Sequence, residues 1–114
     1  MRWAWIVGGL HALIGWTLIF GTLHPLHDAL DEHGLRLVTI GAAHQAIQGL
    51  TLLVIAQTST ARIAAALIAI GTALSCGMLY WMAFTGGHPF DAVVPVGGVI
   101  TFLGWIALLA SNPR

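Results

Sequence analysis

The chain has 114 residues, 58% of them hydrophobic and 7% charged, with no net charge. A soluble domain carries about 25% charged residues, so this composition leaves too little polar surface for water, and a mean hydropathy of +0.89 agrees. The lack of lysine and of any basic run excludes the electrostatic footprint of a nucleic-acid binder. A single cysteine, Cys76, excludes an internal disulfide framework or a cysteine zinc cluster.

A hydrocarbon core about 30 Å thick takes about 20 mostly apolar helical residues to cross. Residues 3–23, 35–57, 62–85 and 92–110 qualify. They predict an all-α integral membrane bundle of four transmembrane helices in one domain. The first run follows Arg2 as a signal sequence would. It outlasts a signal core and no small-x-small cleavage site closes it, so a retained span is expected. Residues 24–34 then read as a short interfacial helix. Pro25 suits its first position, Gly34 suits the residue past its end, and Leu26 and Leu30 share an apolar face. A Thr58-Ser59-Thr60 turn separates the second and third spans, and Gly86-Gly87-His88-Pro89 the third and fourth. Pro95 falls near the first turn of the last span, where a missing N–H costs least. Phe20-x-x-x-His24-Pro25 recurs as Phe84-x-x-x-His88-Pro89, which raises the possibility of two like-oriented hairpins.

The charges segregate. Arg2, Arg62 and Arg114 fall on one side, whereas Asp28, Asp31, Glu32 and Asp91 fall on the other with Arg36 the only base there. Arginine excess marks the cytoplasmic side, so a membrane protein with both termini in the cytoplasm is expected.

Membrane helices associate through small residues and a few buried hydrogen bonds, because lipid is as apolar as leucine. Each span offers a seam at 3–4 spacing: Gly8, His11, Gly15, Leu18 and Thr22; Gly41, His44, Gln48 and Thr51; Ala66, Ala69, Ala73, Cys76 and Tyr80; and Gly97, Thr101 and Gly104. Gly15, Gly41, Gly77, Gly97, Gly98 and Gly104 are assigned to helix packing. Trp3 and Trp5 are expected at the membrane boundary, and Trp16 and Trp105 between helices.

Ionisable residues at membrane depth are candidate functional residues, because their charged forms are costly there. The intramembrane polar group is His11, His44, Gln45, Gln48 and Cys76. His11, His44, Gln48 and Cys76 with Tyr80 form the candidate site. Two readings stand side by side: hydrogen bonds that bridge helices, or a binding or proton-handling role. Counting 1.5 Å per residue places His44 about 12 Å below the loop side and His11 deeper, at about 20 Å. In the outer group, His24, His27 and Asp28 have the i, i+3, i+4 spacing that offers one helical face to a divalent metal, with His33, His88 and Asp91 nearby. Imidazole and carboxylate suit zinc, copper, nickel or iron. His11 and His44 on separate helices are the pair a haem would require, but their counted heights differ and no cofactor motif accompanies them. No resident cofactor is expected.

Ser75-Cys76-Gly77-Met78-Leu79-Tyr80, the Gly-rich loop after it, Pro95-Val96-Gly97-Gly98 and Gly104-Trp105 together resemble the YgdD-like (DUF423) small inner-membrane proteins, whose eukaryotic members are called transmembrane protein 256. His44-Gln45-Ala46-Ile47 falls where that family carries a Tyr-His-Ala-Leu-type segment. The family's Gly-Ala-Phe-Gly-Ala-His signature is reduced here to Phe20-Gly21-Thr22-Leu23-His24, and Cys76 stands where serine is usual. The resemblance implies a four-helix membrane fold and transfers no mechanism. No nucleophile-base-acid set, phosphate loop or paired catalytic carboxylates occur. The expected role is interaction, as a homo-oligomer or a subunit of a larger membrane assembly, without catalysis. The alternative is a metal-binding or small-solute or proton transport unit.

Overall fold

The computed structural model describes residues 1–87 and 90–111. Its elements are α1 (Arg2–Leu23), α2 (Pro25–Ala29), α3 (Glu32–Thr58), α4 (Arg62–Thr85) and α5 (Val93–Ala110). The four longer helices are each long and apolar enough to cross a bilayer, close to the predicted spans.

Local chemistry sets the boundaries. Pro25 opens α2 as predicted, but the short helix ends at Ala29 rather than reaching Gly34. Leu30 is extended, and Asp31 caps α3 by accepting the Gly34 N–H at 2.7 Å. An N-cap carboxylate that satisfies an orphan helix donor starts a new helix where the sequence reading ended one. Gly34 is therefore a buried first-turn residue of α3. In the next turn, Ser59 Oγ accepts the Ala61 N–H at 3.0 Å. Helix α4 closes on Gly86 at φ 70°, a left-handed cap that glycine adopts without strain. Pro95 lies in the first turn of α5.

The molecule measures 47 × 27 × 18 Å. Helices α3 and α4 form its middle; α1 docks chiefly on α3 and α5 chiefly on α4. Both outer pairs are tight because glycines let backbones meet. A Cβ placed on Gly15 would lie 2.6 Å from the Ala42 carbonyl oxygen, and one on Gly97 would lie 2.7 Å from that of Gly71. The central seam is looser, with the Tyr80 ring, rather than a backbone, lying against Gly41. Near the terminal end, Ala4, Leu52, Ile55, Ala65 and Ile68 form a buried apolar cluster.

Several packing expectations are corrected. Gly77 and Gly98 are exposed, and among the described residues nothing lies within 4 Å of a Cβ placed there. Ala73 is exposed, and the buried stripe of α4 runs instead through Ala65, Ile68, Thr72 and Cys76. Trp16 faces lipid, edge-on to Phe20 with ring centroids 5.0 Å apart. One cause covers all three. Lipid and protein interior are equally apolar, so a stripe of small or aromatic residues does not reveal which face turns inward.

Candidate functional site

The polar side chains of the spans meet near the middle of the molecule. On α1, His11 lies between Gly8 and Gly15, whose missing side chains bring the α3 backbone close enough for the ring to reach across. His11 Nδ1 lies 2.9 Å from Gln45 Nε2, and the Tyr80 hydroxyl donates to Gln45 Oε1 at 2.6 Å. With its oxygen taken by Tyr80, the Gln45 amide donates through Nε2, so Nδ1 of His11 accepts and the neutral ring carries its proton on Nε2. One glutamine therefore joins α1, α3 and α4.

One turn further along α3, Gln48 Oε1 accepts the Trp105 indole N–H at 3.0 Å and ties α5 to the centre. The Cys76 thiol donates to the Gly41 carbonyl at 3.2 Å, between α4 and α3. Ser75 Oγ donates to the Val94 carbonyl at 3.0 Å, between α4 and α5. Thr72 is fully buried on the same face of α4, and its hydroxyl has no hydrogen-bond partner among the described residues.

Of the residues expected here, the structure brings together His11, Tyr80 and, through separate bonds, Gln48 and Cys76. His44 is half-buried and lies outside this chain of hydrogen bonds; its neighbour Gln45 is the hub. Successive helical residues point about 100° apart, and spacing alone did not choose between them. The counted depths are also corrected. Because α3 begins at Glu32, His44 lies twelve residues into its helix, the same count that separates His11 from Leu23. The two share a level. The Trp105–Gln48 bond had no sequence signal beyond a tryptophan and an amide on different spans.

The described part of the outer group does not gather at one point. His24 has φ −125° and ψ −92°, outside the helical region, so it leaves the face that i, i+3, i+4 spacing requires. His27 Nδ1 and Asp28 Oδ1 are 3.3 Å apart on the exposed surface, and Asp91 is exposed in the turn before α5. Among the described residues no three His, Cys, Asp or Glu side chains gather as metal ligands would. His88 and Pro89, which complete the second Phe-x-x-x-His-Pro copy, lie outside the described residues.

A four-span helical protein of the membrane, cross-tied at mid-depth by glutamines, is the class that fold and site define. The chain belongs to the family described as protein of unknown function (DUF423), whose model matches residues 20–98. It is similar to a UPF0382 membrane protein of Staphylococcus epidermidis, 34% identical over 94% of this chain and 92% of the relative. A counterpart in Staphylococcus aureus is 32% identical over the same shares. One in Haemophilus influenzae is 28% identical over 75% of this chain and 73% of the relative. No solved structure matches the chain.

Proposed function

We propose that this protein is a non-catalytic interaction subunit of the bacterial inner membrane, with both termini in the cytoplasm, whose lipid-facing surface receives another membrane helix. The observation that carries this reading is the pair Ala73 and Gly77, four residues apart on one exposed face of α4, with nothing within 4 Å of a Cβ placed on Gly77. Glycine lowers helix propensity and gains nothing from lipid, whereas small residues at this spacing admit a second helix at close range. The interior supports the same reading, because His11, Gln45, Tyr80, Gln48 and Trp105 spend their hydrogen-bonding groups on one another across helix boundaries.

The test is photo-crosslinking in native membranes. A photoreactive residue at Gly77 should form one defined adduct, with a second copy or with another membrane protein. The same residue at Leu109, 81% exposed on α5, should yield only lipid adducts. Equal or absent protein adducts at the two positions would overturn the reading.

A further inference from the structure

Helices α3 and α5 run in the same direction and touch through the Gln48–Trp105 bond. From that bond toward the chain termini, residues of the two helices line an open groove of about 710 Å³. Its walls are apolar, with Leu50, Val54 and Leu108 among them, and its far end carries the hydroxyls of Thr58, Ser59 and Ser111.

We infer that this groove holds one acyl chain of an anionic glycerophospholipid, with the headgroup at the hydroxyl end beside Arg62. Length is the first argument. Gln48 to Thr58 is ten residues, about 15 Å of helix, which is half of a hydrocarbon core about 30 Å thick. The groove is one leaflet deep and ends at the bilayer middle. A partner helix would need a face running the whole width; a lipid tail needs only this half.

The groove end is the second argument. Thr58 and Ser111 donate their hydroxyls back to the Val54 and Leu108 carbonyls, at 2.7 Å each, and so shield the helix ends. Ser59 Oγ accepts from Ala61, and its O–H has no acceptor among the described residues, so it can donate to an ester or phosphate oxygen.

Charge is the third. Among the described residues, the side chains charged at physiological pH at this end of the molecule are Arg2 and Arg62, whereas Asp28, Asp31, Glu32 and Asp91 lie at the other. Arg62 follows Ser59 by three residues and opens α4, whose N-cap residue Ala61 supplies no side-chain hydrogen bond to the first turn. Arg62 and the α4 N-terminus, within three residues along the chain of the groove residue Ser59, both favour an anionic headgroup over a zwitterionic one.

The test uses the full chain in bilayer discs of equal parts phosphatidylglycerol and phosphatidylcholine, transferred to mild detergent and weighed by native mass spectrometry. One retained phosphatidylglycerol per chain is expected, enriched about fivefold over phosphatidylcholine, the effect of one basic residue at an anionic surface. Arg62→Gln should keep a lipid but lose the enrichment. Val54→Trp should fill the groove and lose the lipid, while Val99→Trp, on a part of α5 outside the groove, should retain it; circular dichroism checks that both variants keep their helix content. Equal retention of the two lipids by the unaltered chain, undiminished retention by Val54→Trp, or a chain dimer in place of the lipid adduct would each overturn the proposal.

Discussion

At the scale of single residues, Gln45 matters most. Its amide serves both Tyr80 and His11, so Gln45→Leu leaves buried His11 and half-buried Tyr80 without that partner, on two different helices. Hydrogen bonds between membrane helices average about 0.6 kcal/mol and reach about 1.7 kcal/mol, so two of them together are worth about 1–3 kcal/mol. A double-mutant cycle of Gln45→Leu with Tyr80→Phe, read by unfolding in mixed micelles, should return a coupling of about 0.6–1.7 kcal/mol. A coupling of zero would mean that the short O–H···O contact does not operate in the bilayer. The residue types of this site were legible in the sequence, because amides and imidazoles in apolar spans are conspicuous. The hub was not, because His44 and Gln45 are adjacent and only the rotation of α3 selects between them.

At the scale of elements, glycine positions decide which helices pair tightly. Gly49 of α3 sits against the Ala12 nitrogen and the Gly8 carbonyl oxygen of α1, so an added methyl would meet backbone that cannot give way. Gly9, one residue from Gly8, has nothing within 4 Å. Gly49→Ala should therefore cost about 1–3 kcal/mol by overpacking. Gly9→Ala should be neutral or stabilising by up to about 1 kcal/mol, through helix propensity alone. The same unfolding assay measures both, and similar values for the pair would mean that α1 and α3 are not in backbone contact. Most span limits were readable because length and the left-handed cap at Gly86 are local signals, whereas Gly34 misled, since Asp31 caps α3 ahead of it. The inward faces were only half readable: Gly8, Gly15, Gly97, Thr101 and Gly104 lie against a neighbouring helix, whereas Ala73, Gly77 and Gly98 face outward. Size is the one cue left when both sides of a helix are apolar, and it marks contact surfaces without saying whose they are.

At the scale of the whole molecule, the distribution of charge along the long axis is the basis of the proposed orientation. The turn between α3 and α4 and the start of α1 hold arginine and no acid, while the opposite end holds Asp28, Asp31, Glu32 and Asp91 with Arg36, which lies 3.7 Å from Glu32. Arginines near span ends resist translocation. A phosphatase reporter active only outside the cytoplasm should be silent when fused after Ser111 and active when inserted next to Asp31. Activity at both sites, or the reverse pattern, would contradict the proposed topology.

The unequal seams also bear on how the halves of the chain are joined. Each tight pair, α1 with α3 and α4 with α5, joins consecutive spans, and Gln45 and Gln48 offer their Oε1 atoms to Tyr80 and Trp105 of the second pair. The two halves of the chain are thus held to each other by a two-point latch whose acceptors both lie on α3.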